Sequence, residues 1–391
     1  MSASRARNSP SIPMATYPDS QLKIFEGWNG NGSTFESGME GGSCASLSIL
    51  VCGRYEMFIP PACIMGEVHV VLIAVSATDI ASTNQSDALM QMGLWDPTDP
   101  VEGHPTFKRL HARIWILPGS VLREDYLARR WKNATGEIVD EIIFPSRHSA
   151  VSGRPSLTLH PVGVMQLDKD EIPPYGGRAG DAPPPSPRLA SWWQELIRVS
   201  EHSDLVEDFD TSLEVTHHGP WLEVPSLFIE VGSTAETWGH FGAANLLADI
   251  IHRGLGLDGS EGFGSWDCDD DNGQPVLITL GGGHYAPRAN NLGLHPGLRV
   301  GHMLATYALP FIAPQVEGDE PEGNWKQSID AAFEATKRAY PNGKIIFSMD
   351  KKAFKGWQRQ AIRNHLANLD APLMTSKAIL ALLEGESSSA F

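Results

Sequence analysis

HVVLIAV, His69 to Val75, is the stretch that decides the fold. An unbroken apolar run rich in β-branched residues leaves no polar face for water, so it reads as a strand covered on both sides, the pattern of a parallel sheet. Similar runs recur downstream as RIWIL (Arg113 to Leu117), EIIF (Glu141 to Phe144), SLTLH (Ser156 to His160) and SLEVTHH (Ser212 to His218). They continue as SLFIEV (Ser226 to Val231), PVLITL (Pro275 to Leu280) and KIIFSM (Lys344 to Met349). Helical patterns lie between several of them. Ser233 and Glu236 suggest a capping box ahead of a helix through Trp238, Phe241, Leu246, Leu247, Ile250 and Ile251 that Gly254 stops. Trp325 to Tyr340, Ala353 to Leu369 and Ser376 to Leu383 read as further helices. Strands alternating with helices predict an α/β fold, a largely parallel sheet flanked by helices.

A chain of 391 residues with 41% apolar content can bury a large core and is expected to add a second, smaller lobe. No apolar run approaches the roughly 20 residues a membrane helix needs, so no membrane partner is expected. Cys44, Cys52, Cys63 and Cys268 form no C-x-x-C pair and read as thiols of a reducing compartment. A cytoplasmic monomer is the expectation. The Ser-rich start, acid-free up to Asp19, carries a weak transit-peptide character.

The net charge of -17 argues against binding nucleic acid by global attraction, and no DNA partner is expected. A nucleic-acid partner needs a local basic face. Two stretches qualify: Lys337 to Arg363 has eight basic residues against Asp350, and Lys108 to Lys132 has seven against Glu124 and Asp125.

Residues 1–66, rich in Ser, Gly and Pro, read as a mobile extension. The α/β catalytic region is expected in two parts, 67–171 and 189–391, the second carrying the basic C-terminal helix. Between them, Ile172 to Arg188 (IPPYGGRAGDAPPPSPR) reads as an exposed loop or interlobe connection.

Histidines fall where predicted strands end, and in an open α/β sheet ligands bind at strand ends. His148 and His160 flank SRHSAVSGRPSLTLHPVG. In EVTHHGP, alternation sets Glu214, Thr216 and His218 on one face and His217 on the other, so both histidines reach one site only if the strand stops there. Gly219 and Pro220 suggest that it does. In GGGHYAPR the glycines permit a sharp turn and close ligand approach beside His284, Tyr285 and Arg288. Glu230, inside the apolar strand of FIEVGST, must be paired, protonated or metal-bound. Each feature alone is compatible with a structural role, and Trp192, Trp193, Trp238 and Trp325 read as packing residues. Together, neutral imidazoles and a carboxylate suit zinc with an open position, hence water-based hydrolysis of an activated carbonyl. No G-x-S-x-G elbow offers a serine nucleophile.

In that order, SRHSAVSGRPSLTLHPVG, EVTHHGP, FIEVGST followed by Trp238, GGGHYAPR and VGHMLATYAL resemble the successive motifs of the archaeal and plant type of D-aminoacyl-tRNA deacylase. The strand from His69, with Ser76, Asp79 and Asn84, resembles that family's beginning, and AFKGWQRQ its Trp-Lys-Gly segment, with Phe354 in place of Trp. Val164 after HPVG, and Ala289 and Asn290 after GGGHYAPR, also depart from the pattern. The likeness covers about residues 67 to 370. It implies hydrolysis of the ester joining a D-amino acid to the 3′ end of tRNA, zinc as the metal, and a fold similar to the phosphorylase/hydrolase type. On this reading His148, His160 and His217 form the metal edge. His218 or Glu230 orients or deprotonates water, and His284 or Tyr285 stabilises the oxyanion. Arg288 and Lys355 contact the acceptor end of the D-aminoacyl-tRNA, Thr216 the substrate, and a basic helix through Arg359 and Arg363 guides the RNA. The rival readings are a zinc aminopeptidase or amidohydrolase, and a nucleoside-phosphorylase-like protein in which the glycines cradle phosphate.

Overall fold

The computed structural model describes residues 67–316 and 318–387; the expectations placed on residues 1–66 lie outside this range. The apolar run from His69 forms β1 (His69–Ser76), and α1 (Ile80–Gln91) follows it. Then come β2 (Asp96–Val101), β3 (His104–Arg109), β4 (Ala112–Leu117), α2 (Leu127–Thr135), β5 (Ile138–Arg147) and β6 (Ser156–His160). The middle of the chain forms α3 (Leu189–Ser200), β7 (Asp210–Leu213), β8 (Ser226–Gly232), α4 (Ala235–Trp238) and α5 (Phe241–Gly254). The remainder is β9 (Pro275–Leu280), α6 (Pro287–Leu292), β10 (Arg299–Leu304), α7 (Trp325–Ala339), β11 (Lys344–Met349), α8 (Gly356–Asn368) and α9 (Ser376–Ser387).

An eight-stranded sheet runs β2-β3-β4-β1-β5-β8-β6-β7, and a second sheet of three parallel strands runs β10-β9-β11. β1 pairs in parallel with both β4 and β5, so it is central. Its alternation divides two cores. Val71, Ile73 and Val75 face α1, α3 and α5, whereas Val70, Leu72 and Ala74 face Trp115, Trp131 and α2. That explains a run with no polar face, and truncating Ile73, fully buried, to Ala would cost about 2–5 kcal/mol.

Two antiparallel elements interrupt the largely parallel sheet. β2 and β3 (DPTDPV and HPTFKR) form an edge ribbon that pattern did not announce. The two prolines of β2, Pro97 and Pro100, suit an edge strand, where a missing N–H need break no ladder. β6 runs antiparallel to β8, which inserts between β5 and β6, so the strands leading to His148 and His160 are not neighbours.

The predicted helix around Trp238 is two helices. Thr234, not Ser233, caps α4, with Thr237 reciprocating; the chain then restarts at His240, whose Nδ1 accepts from Ala243 N at 3.1 Å. Ala353 to Leu369 likewise resolves into a short turn of 3-10 helix at Lys351–Ala353 and then α8. Residues 172–188 form neither helix nor strand. Ala182 to Arg188 are nonetheless buried rather than exposed. Arg188 there meets Glu141 at 2.8 Å, and the Pro183 carbonyl accepts from His302 Nε2 at 3.1 Å. The attraction of the buried cation and anion offsets part of the cost of desolvating each. No helix of the described residues is long and apolar enough to cross a membrane.

Candidate active site

SLEVTHH does not continue as a strand to its end. β7 stops at Leu213, after which Glu214 N still reaches the Leu159 carbonyl at 2.9 Å. Val215 N then bonds the His284 carbonyl at 2.9 Å and Thr216 N the Met303 carbonyl at 2.7 Å. The backbone thus leaves β6 and is captured by the GGGHYAPR loop and β10. Strict alternation is lost, and the His217 and His218 rings lie 4.1 Å apart on the same side.

Asp79 fixes the opposite wall. Its Oδ1 caps α1 by accepting from Ala81 N at 3.0 Å, and its Oδ2 accepts from Arg147 N at 3.0 Å. One carboxylate therefore ties the start of α1 to the end of β5, just before His148. His148 can press against β8 because residue 232 is glycine: a Cβ there would come within 2.7 Å of the His148 Cβ.

These elements enclose a cavity of about 430 Å³ lined by His148, His217, His218, Glu230, His284 and Arg147, with hydroxyls from Ser76, Thr78, Ser120, Ser146 and Ser149. His160 lies behind it, its ring centroid 4.1 Å from that of His217, with the rings tilted by 38°, and 5.0 Å from that of His218, with the rings at 90°. At the centre are two buried carboxylates. Glu214 Oε1 is 2.9 Å from His148 Nδ1, and its Oε2 accepts from His284 Nε2 at 2.8 Å. Glu230 Oε2 lies 3.6 Å from His148 Nδ1 and 3.7 Å from His160 Nε2.

Burial would raise both carboxyls, but the imidazole contacts override it. Those of His148 and His284 hold Glu214 well below the usual carboxylate range, and those of His148 and His160 bring Glu230 to about 2. Burial likewise disfavours charge on His148, yet Glu214 and Glu230 raise it to about 11; Glu230 also raises His160. Burial and then the charge of His160 push His217 well down and His218 to about 4. The two buried carboxylates thus draw the His148 and His160 imidazoles toward the charged form, while His217 and His218 are driven toward the neutral one.

The donor set also fits a metal ion. His160 Nδ1 donates to the Pro161 carbonyl at 3.1 Å and His217 Nδ1 to the Val215 carbonyl at 2.8 Å, leaving each Nε2 free. Such outer contacts orient metal-ligating imidazoles. The buried atoms His160 Nε2, His218 Nδ1 and Glu214 Oε1 have no hydrogen-bond partner; the 2.9 Å approach of His148 to Glu214 Oε1 is an ion contact out of line for the ring N–H. His160, His217 and His218 place ligand atoms within 4.8 Å of one another; Glu214, His217 and His284 form a second such group, and His148, Glu214 and Glu230 a third.

A family model for D-aminoacyl-tRNA deacylase matches residues 135–374. A D-aminoacyl-tRNA deacylase of Arabidopsis thaliana is 44% identical over 305 residues, 76% of this chain and 96% of its own. The chain belongs to the D-aminoacyl-tRNA deacylase family. A deacylase of Pyrococcus horikoshii is 34% identical over 245 residues, covering 61% of this chain and 81% of its own. Among solved structures, a conserved protein of unknown function covers 80% of this chain and 98% of its own with a TM-score of 0.63 at 23% identity, a likeness of fold alone.

In this deacylase-family chain the motif histidines converge, but not every residue singled out from sequence joins them. His148 sits with the two carboxylates, whereas His160 and His217 group with His218. Tyr285 stands at the edge, its hydroxyl 3.3 Å from His148 Nε2. Thr216 is buried and engaged: its Oγ1 accepts from Met303 N at 3.1 Å and donates to His302 Nδ1 at 2.9 Å. Arg288 lines a neighbouring groove, and exposed Lys355 precedes α8; neither lines the histidine cavity. Glu214 is the residue that sequence reasoning left without a role. Its signal was an ionisable group between the apolar Leu213 and Val215 in a run read as a strand.

Proposed function

We propose that this chain hydrolyses the ester of D-aminoacyl-tRNA, releasing free D-amino acid and tRNA, in the cavity between His148 and His284. The observation that carries the reading is the gathering of His148, His160, His217, His218 and His284, from separate segments, around Glu214 and Glu230. A cavity of about 430 Å³ is of the size that holds a small-molecule group.

Ester hydrolysis needs an acceptor for the water proton and a donor for the developing oxyanion. Among the described residues no serine hydroxyl is hydrogen-bonded to any of these histidines, which favours attack by water rather than by an acyl-enzyme route. His218, neutral and near 4, is a stronger base than Glu230 near 2, so His218 takes the proton when its ring is free. His148, held as imidazolium, presents Nε2–H beside the Tyr285 hydroxyl, and this pair serves as oxyanion donor. His284 is less suited, because its Nε2–H is engaged by Glu214.

His160, His217 and His218 would hold zinc. A zinc ion held there would supply Lewis acidity and favour ionisation of water near pH 7. With His218 as a ligand, Glu230 is the acceptor left on the cavity wall.

The test is release of amino acid from D-tyrosyl-tRNA and L-tyrosyl-tRNA, with and without a chelator, for the wild type and for His218→Ala and His284→Ala. The expected result is D-selective release that either substitution abolishes in a folded protein. Wild-type turnover in both variants removes the site.

A further inference from the structure

The arginines of the two basic stretches differ once their partners are visible, although in the first stretch Lys108 and Lys132 are also exposed and enter no ion pair among the described residues. In the first, Arg113 is paired with Glu137, Arg129 with Glu223, and Arg130 with Glu102 and Glu124. Arg109 and Arg123 donate to main-chain carbonyls. In the second, among the described residues, no ion pair engages Lys351, Lys352 or Arg363, and all three are exposed. They line a groove with Arg288, Asp350 and Ser376 at the carboxyl end of β11. Arg288, Asp350 and Ser376 also line the adjoining hollow at the end of β9, together with Gly281 and Gly282. The two hollows, about 600 and 390 Å³, form one track across the carboxyl ends of the parallel strands, where open α/β sheets bind ligands.

Arg288 is only partly engaged. Its Nη1 donates to Ser376 Oγ at 2.7 Å and its Nη2 lies 3.9 Å from Asp350, while its buried Nε has no partner. Four cations face the single carboxylate of Asp350, an excess of positive charge on a chain of net charge -17. The track also leads somewhere. Gly282 lines it and His284, two residues on, lines the histidine cavity; two residues of extended chain span at most about 7 Å.

We propose that this groove holds the sugar-phosphate backbone of the single-stranded RNA end that enters the histidine cavity. The proposal rests on that cavity being the ester site. Arg288, Lys351, Lys352 and Arg363 contact phosphates of the nucleotides preceding the terminal one, and Gly281 and Gly282 keep the wall low where the strand turns inward. Lys355 and Arg359 take no part: Lys355 lies outside the groove, and the Arg359 guanidinium donates to the carbonyls of Lys351 and Phe354. Phosphate contacts position an RNA without reading its sequence, so the groove would accept any acceptor end.

The test uses the full chain and the triple variant Lys351→Ala/Lys352→Ala/Arg363→Ala, all exposed positions. Binding of uncharged tRNA is measured across a salt series. Each phosphate contact contributes about 0.7 to the slope of log K against log salt for a single strand, so the triple variant's slope should fall by about 2. Its KM for D-tyrosyl-tRNA should rise at least about tenfold with kcat unchanged. Hydrolysis of 3′-O-D-tyrosyl adenosine, which lacks upstream phosphates, should not change. An unaltered slope and KM overturn the groove, as does an equal loss on the adenosine ester. If the wild type hydrolyses neither substrate, the ester reading fails, and the binding slope still decides whether RNA lies in the groove.

Discussion

Glu214→Gln preserves shape and removes the charge on which His148 and His284 lean. The His148 Nδ1 to Glu214 Oε1 separation of 2.9 Å corresponds to about 6 kcal/mol of gross attraction at an effective dielectric near 20. Desolvation offsets part of this, and breaking one partner of a buried pair typically costs about 3–5 kcal/mol. The variant should therefore lose about 3 kcal/mol or more, read from urea unfolding at pH 7 in the presence of a chelator, with the m-value unchanged. A cycle with His148→Gln should show coupling of about 1–3 kcal/mol, because the two groups share one network. D-Tyrosyl-tRNA hydrolysis should fall sharply even where the variant is fully folded, since His148 loses the carboxylate that keeps it protonated and His284 loses its anchor. Wild-type stability, with coupling within about 0.5 kcal/mol, would refute the pairing of Glu214 with His148 and the mechanism built on it.

Zinc titrated into chelator-treated protein should stabilise it by about 2.7 kcal/mol at 100 times Kd, and His217→Asn should lose that gain; no stabilisation in the wild type would discard the three-imidazole ion site. His302, buried and held down to about 3, is neutral in the fold but protonates near 6.5 when unfolded. The unfolded chain thus binds more protons below pH 6.5, and stability falls with pH through that window, by about 2 kcal/mol at pH 5. Urea unfolding at pH 7.5 and pH 5 should show a smaller decline for His302→Gln than for the wild type; equal declines would show that His302 is not the cause. Gly281→Ala places a Cβ at φ 87° and 2.5 Å from the Phe354 ring, so it should cost about 1–3 kcal/mol in thermal or urea unfolding. An unchanged midpoint would mean that the loop relaxes freely.

Legibility in the sequence followed physical cause. β1 could be read because burial on both faces demands an apolar residue at each position. The motif histidines could be read because strand ends are where an α/β sheet presents side chains to ligands. β2 and β3 could not, because an edge ribbon bears few core contacts and tolerates Pro, Asp and Lys at will. Nor could the insertion of β8 between β5 and β6, since strand order depends on which crossover packs best and not on the strand's own pattern. The burial of Ala182 to Arg188 was hidden for a similar reason: Pro and Gly mark irregular backbone but do not say whether it is covered. Arg188 and Glu141 lie far apart in the chain, and only the fold makes them a pair.

The same limitation governs the charges that matter most for function. Composition sees Arg130 and Lys352 as equivalent cations in equally basic stretches. The fold makes Arg130 a local partner of Glu102 and Glu124, so its field is largely cancelled within a few ångströms, and leaves Lys352 facing solvent. An acidic chain repels a polyanion over most of its surface, so what attracts RNA is the residue of this cancellation rather than the number of basic side chains. By that reasoning removal of Arg129 and Arg130 should leave the salt dependence of tRNA binding untouched, while removal of Lys351, Lys352 and Arg363 should not. If instead both changes shift it equally, then total charge and not pairing controls the approach of the substrate, and the groove loses its privileged position.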